Sequence, residues 1–212
     1  MVIPSRWAEP IPGGSLQQWI FGSSRGPLPD TPLLVDADRP ETHRLSKAEY
    51  RLLSKRIALG LRDAGLAPGD RVLLFSGNNL FFPSVFLGVL MAGGVFTGAN
   101  PSYVARELAH QLRDSGATFI IVATASIKTA LEAARDVGLS RDRIFLFDAP
   151  DVPWTEEPSP GLAGRAHGAR HWTELLQGNL KQAETWDWEE PADPETTIWY
   201  VVRCPVSAVA ER

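Results

Sequence analysis

The sequence holds one cysteine in 212 residues and no glycine after Gly178. A single thiol excludes an internal disulfide framework and fits a reducing compartment. Positive charge is not in excess either. The 21 Lys and Arg residues stand against 25 Asp and Glu, a net charge of −4, so no basic stripe supports nucleic-acid binding. Long apolar runs are missing. The most hydrophobic stretch, residues 80–96, is interrupted by Pro83, Ser84 and the pair Gly93-Gly94. It falls short of the roughly 18 apolar residues a membrane span needs, and predicts a buried helix running into a strand. The opening "MVIPSRWAEPIPGG" has no apolar centre of the kind a secretory signal carries.

Several catalytic signatures are lacking too. No G-x-G-x-x-G follows a strand, no G-x-x-x-x-G-K-[ST] occurs, and no G-x-S-x-G elbow is present. Cys204 has no partnered base nearby, so it reads as an inert thiol rather than a nucleophile.

What remains is ordinary globular composition, 44% hydrophobic and 22% charged, on a chain long enough for one domain or a large and a small lobe. The first 40 or so residues are rich in Pro and Gly and predict an extended, wrapping segment with one short strand at Leu33-Leu34-Val35. Order begins at Ser46. Ser46-Lys47-Ala48-Glu49 is a capping box, in which hydroxyl and carboxylate each satisfy the other residue's N–H. Leu45 and Tyr50 flank it as a hydrophobic staple. Tyr50, Leu53, Ile57, Leu61 and Ala64 then make one helical face, stopped by Gly65 and Pro68.

Residues 71–76, "RVLLFS", predict a buried strand. Asn78 or Asn79 caps a helix over about residues 80–92, apolar on nearly every side and therefore buried on nearly every side. "GVFTG" predicts the next strand, and Asn100-Pro101 a turn. Val104, Leu108 and Leu112 mark a helix, residues 118–122 a strand, Ile127, Leu131 and Ala134 a helix ended by Gly138, and residues 143–147 a strand. Residues 148–170 read as a surface loop, followed by a short helix near 171–177 and an acidic, Trp-bearing connector, "ETWDWEEPADPE". Alternation with short connections predicts an α/β fold: a mainly parallel sheet with helices on both faces. Strands apolar without alternation agree.

Candidate chemistry is thin. "AGGVFTG" precedes and contains a strand instead of opening a helix, so close packing explains it better than phosphate binding. His167 and His171 stand four apart, but Gly168 weakens a helix there and no third metal ligand is spaced to join them. His110 is expected near a helix surface, in a hydrogen-bonding role. The pairs Glu156-Glu157 and Glu189-Glu190 fit solvated loops better than acid–base work. No residue of the chain is therefore assigned a catalytic, cofactor-binding or metal-binding role.

The order of segments carries a stronger signal. "GDRVLLFSGNNLFFPSVFLGVLMAGGVFTGANPSYVARELAHQLRDSGATFIIV", residues 69–122, resembles the N-terminal region of adenylate-forming acid–CoA ligases. The style is that of fungal 4-coumarate–CoA ligase-like enzymes and acyl-CoA synthetases. The shared elements are G-D before the strand, N-N before the buried helix, A-G-G before the next strand, "GANP", "ARELAHQL" and "DSGATFIIV". "LPDTPLLVDAD", "HWTELL" and "WEEPADPETT" also fit, so the likeness covers roughly residues 10–197.

The resemblance implies two-step chemistry. A carboxylate attacks the ATP α-phosphate, giving an acyl-adenylate and pyrophosphate, with magnesium offsetting phosphate charge. The CoA thiol then displaces AMP. A small carboxylic acid is the implied substrate, and the implied location is intracellular, cytoplasmic or peroxisomal, although the final "AER" is no peroxisomal tripeptide.

Three segments are expected: an extended N-terminal segment over 1–45, an α/β subdomain over 46–197 and a divergent tail over 198–212. In the family, the strand after "TT" leads into a Ser/Thr/Gly-rich loop ending in Pro-Lys-Gly. Here residues 198–202, "IWYVV", lead into Arg203-Cys204-Pro205-Val206-Ser207. The change predicts a frame shift or retained intron near Thr197, or else a genuine short product, pseudogene-like or a non-catalytic interaction module that pairs with a full-length ligase. A parallel sheet lacking its neighbours is expected to be poorly soluble or to bind a partner. The chain alone is expected to be inactive and to bind no ATP, CoA or Mg2+ productively.

Overall fold

The computed structural model describes residues 13–148, 156 and 168–190. Residues 198–212, Cys204, His167 and Glu157 lie outside them.

A five-stranded, wholly parallel sheet forms the centre. Its strands are β3 (Arg71–Phe75), β4 (Val95–Gly98), β5 (Ala117–Ala123), β6 (Ile144–Phe147) and β7 (Arg170–His171), in the order β4-β3-β5-β6-β7. A two-stranded antiparallel pair, β1 (Pro32–Val35) with β2 (Arg44–Ser46), lies apart from it. The crossovers are α3 (Phe82–Met91), α4 (Ala105–Ser115) and α5 (Ile127–Val137). Preceding the sheet are α1 (Leu16–Phe21) and α2 (Lys47–Asp63), and α6 (Leu180–Thr185) follows it.

The capping box forms. Glu49 N–H donates to Ser46 Oγ at 3.2 Å, and Ser46 N–H to Glu49 Oε2 at 2.8 Å. Ahead of α3 it is Asn79 that acts, its Oδ1 accepting from the N–H groups of Phe81 (2.8 Å) and Phe82 (3.1 Å). Helices α4 and α5 both end on a glycine in the left-handed region, Gly116 at φ 62° and Gly138 at φ 74°.

The strand side chains alternate between two apolar clusters. Val72, Leu74, Phe96, Phe119, Ile121, Phe145 and Phe147 join α2 and α3 on one face. Leu73, Phe75, Ile120, Val122, Ile144 and Leu146 join α4 and α5 on the other. Helices therefore cover both faces, as the unbroken apolar strands require. In α3 the residues Val85, Leu87, Val89, Leu90 and Met91 are all buried, each stabilising the fold by about 1.5–3 kcal/mol. Only Phe82, Pro83 and Phe86 of this helix are half-exposed.

Three local readings change. The N-terminal segment contains α1 as well as the expected strand, because Ser15 caps it through Gln18 N–H at 3.2 Å. Arg170 and His171 form a strand instead of loop and helix, paired to Phe145 and Leu146. The helix expected near 171–177 is a tight 3-10 turn over Trp172–Leu176, followed by α6, which the sequence did not announce.

Candidate functional site

In an open parallel sheet, ligands bind at the carboxyl ends of the strands, where successive crossovers leave on opposite faces. Here that point lies between β3 and β5. From β3 the chain runs through α3 to β4 on one side; from β4 it returns through α4 to β5 on the other. The lip is built by residues 76–79, 99–104 and 124–126, with Asp148 and His171 at the ends of β6 and β7.

Some polar groups on this lip are already committed. Ser76 Oγ–H donates to Gly77 O at 2.9 Å. Asn79 caps α3, using the N–H groups a phosphate would need. Asn100 Oδ1 accepts from Ser102 N–H at 3.0 Å, closing the Asn-Pro turn. No Lys or Arg occurs in residues 76–79, 99–104 or 124–126. Phosphate cradles need converging donors and compensating positive charge. No group of three or more His, Cys, Asp or Glu among the described residues is placed to hold a metal ion.

His171 is nearly buried, and both of its ring nitrogens are engaged. Its Nε2 lies 2.9 Å from Asp148 Oδ1, and its Nδ1 lies 2.7 Å from Thr173 Oγ1. Thr173 N–H also points at Nδ1, at 3.4 Å, so Nδ1 accepts and Nε2 carries the proton that Asp148 receives. Trp172 Nε1–H adds a bond to Asp148 O at 3.1 Å. Through these bonds His171 ties the end of β7 to the residue that follows β6.

The remaining candidates scatter. His171 lies on a strand, so no helical histidine pair includes it. His110 is exposed on α4, at the helix surface as expected, and its ring makes no hydrogen bond to another described residue. The Gly93-Gly94 pair lies at the amino end of β4, away from the lip, and it is there for packing. A Cβ on Gly94 would stand 3.1 Å from Leu66 Cδ2 and from Val89 Cγ1.

Glu190 is exposed in a loop, as expected, and also holds a distant partner. It accepts from Ser15 N–H at 2.8 Å and Ser15 Oγ–H at 2.9 Å. No local pattern announces a partner 175 positions away. Glu156 contributes its carbonyl, which accepts from Arg56 Nη1 at 2.8 Å.

Arg56 was missed altogether. It is fully buried on α2, also donating to Asn179 Oδ1 at 3.2 Å and to Leu176 O. A cleft of about 510 Å3 runs along α5, lined by Lys128, Leu131, Arg135 and Arg141 among others, on the flank of the fold and not at the lip. Among the described residues, no helix is long and apolar enough to cross a membrane.

The comparisons with known proteins match this geometry. The family model described as "AMP-binding enzyme" matches residues 24–195. The chain is 33% identical over 188 residues to a phenylacetyl-CoA ligase, epaB, of Aspergillus niger, covering 89% of this chain and 32% of that protein. It is 35% identical over 192 residues to an acyl-CoA ligase of the same species, azaF, covering 89% and 33%. The chain thus spans about a third of the length of these curated relatives.

Among solved structures, MbtA of Mycobacterium smegmatis superposes with a TM-score of 0.66 at 26% identity, over 89% of this chain and 31% of that one. A long-chain-fatty-acid-CoA ligase of Archaeoglobus fulgidus shares the fold, with a TM-score of 0.65 at 15% identity, over 86% and 33%. With the doubly wound sheet in place and the family model matched over most of its length, the chain belongs to the AMP-binding enzyme family.

Proposed function

We propose that this chain is the N-terminal α/β part of an ATP-dependent acid–CoA ligase. In the whole enzyme a carboxylate attacks the ATP α-phosphate and releases pyrophosphate, and the CoA sulfur then attacks the acyl carbonyl and releases AMP. The observation that carries this reading is the family match over residues 24–195, together with relatives named as CoA ligases along 89% of the chain.

The described residues supply the scaffold for that chemistry. The sheet and its helices build a wall, and the lip segments 76–79, 99–104 and 124–126 carry no Lys or Arg to compensate the charge of ATP. Magnesium, which would screen phosphate charge when bound, finds no carboxylate set among the described residues. The 212 residues by themselves make no thioester, since they contain no Ser/Thr/Gly-rich loop ending in Pro-Lys-Gly.

The test is ATP–pyrophosphate exchange with magnesium, using phenylacetate, benzoate and long-chain fatty acids in turn. The isolated chain is expected to give no exchange above the enzyme-free rate. Joined in frame to the remaining two-thirds of the phenylacetyl-CoA ligase relative, it is expected to support exchange. Exchange by the isolated chain would refute its inactivity; a folded but inactive fusion would refute the ligase assignment.

A further inference from the structure

Two stretches far apart in sequence meet over α2. One is the N-terminal stretch from Ser15 to Gly26, which includes α1. The other is the connector after α6, from Trp186 to Glu190. Glu190 takes both hydrogen bonds from Ser15, and its Oε1 accepts from Trp188 Nε1–H at 2.7 Å. Asp187 accepts from Arg25 Nε–H at 2.8 Å, from the same guanidinium's Nη2, and from Ser24 Oγ–H. Phe21 packs against Trp188 at 6.3 Å and edge-on to Tyr50 at 5.1 Å.

Helix α2 supplies the third side. Arg51 Nη1 donates to the carbonyls of Ser23 (3.0 Å) and Arg25 (3.2 Å), and its Nη2 to Gly26 O. Lys55 Nζ donates to Ser24 O at 3.1 Å, and the residue as a whole is only 2% exposed. Arg62 lies over the Trp186 ring at 5.2 Å.

Neither stretch could hold this arrangement alone. Helix α1 has six residues, too few to be stable in isolation, and the connector has no regular structure. Each satisfies its polar groups largely through the other and through α2. We infer that residues 15–26 and 186–190 order as one unit, a strap across α2 that seals the Lys55 amine from solvent, so that releasing either arm releases both.

The charge pattern supports the seal. Burial, then the neighbouring Arg51, push the Lys55 amine down to about 8; Asp187 opposes that shift and Arg25 adds to it. The strap itself needs no ligase activity.

The experiment uses the full chain with Arg25→Ala or Glu190→Ala, one substitution on each arm. Amide hydrogen exchange is followed over residues 16–26 and 184–190. Acetylation of each lysine by sulfo-N-hydroxysuccinimidyl acetate is read by mass spectrometry. Lys128 and Lys181 are exposed and act as internal controls. Either variant is expected to speed exchange in both segments, and Lys55 acetylation, by about tenfold or more, with the controls and the β5 amides unchanged.

Faster exchange confined to the substituted segment would overturn the proposal. So would Lys55 acetylation as fast as Lys128 in the unsubstituted chain. If Glu190→Ala also loosens β5, Glu190→Gln, which keeps the shape and removes the charge, is read by the same two outcomes.

Discussion

The two faces of the sheet are built from different materials. The α2/α3 face is aromatic and deep: Phe81, Phe96, Phe119, Phe145, Phe147 and Trp172 are all essentially buried, as is every residue of α2 from 53 to 61. The α4/α5 face is thin and small-featured, with Ala109, Ala130, Ala133 and Ala134 at its helix contacts and Phe75 its one buried aromatic among the described residues. Helices α4 and α5 keep a solvated side with ion pairs such as Arg113–Asp136. A helix wet on one side needs only an apolar stripe, whereas α2 and α3 are enclosed and must be satisfied all round. That is why Arg56 and Lys55 end up buried on α2, tied to carbonyl oxygens. The deep face spends its polar groups on holding distant chain segments, and the shallow face leaves them to water.

This contrast can be broken most sharply at Trp172, which packs on Phe81 at 5.1 Å and Phe147 at 5.6 Å. Trp172→Ala is expected to lower unfolding stability by about 3–5 kcal/mol in urea titration. A loss under about 1 kcal/mol would mean the deep face is no more tightly packed than the other.

Next is Gly60, where a Cβ would stand 2.0 Å from Leu175 O. Because the neighbour is backbone, relief requires moving the turn, and Gly60→Ala is expected to cost about 3 kcal/mol in thermal or urea melts. Unchanged stability there would show that α2 and the turn over Trp172–Leu176 do not approach so closely.

The smallest effect is expected on the shallow face. Arg113 and Asp136 are both more than half exposed, at 54% and 59%, so Arg113→Ala is expected to change stability by less than about 1 kcal/mol. A larger loss would mean that α4 and α5 depend on this ion pair and not on their alanine contact.

Much of the fold was legible because its signals are local. Ser46 and Glu49 are three residues apart, Gly116 and Gly138 end their helices where the apolar spacing stops, and the β3-to-β6 strands are continuous apolar runs. Helix α1 was not legible: six residues carry too little periodicity, and its Ser15 cap is steadied by Glu190 from the far end of the described chain. Strand β7, two residues long, exists through its pairing with β6 and the His171–Asp148 bond. The candidate site was legible mainly as an absence. No glycine-rich phosphate loop is found in the sequence, and the lip segments carry no Lys or Arg.

The residues alone were enough for the alternation of helix and strand, the α/β class and the family likeness, because periodicity, caps and short motifs act between residues close in the chain. They could not specify which strands neighbour which, which face each helix covers, or that Glu190 would close on Ser15 and Arg56 on Leu176. Those partners are 175 and 120 positions apart. Only the collapse of the whole chain around its sheet brings them within hydrogen-bonding distance, where burial makes an unmet polar group costly.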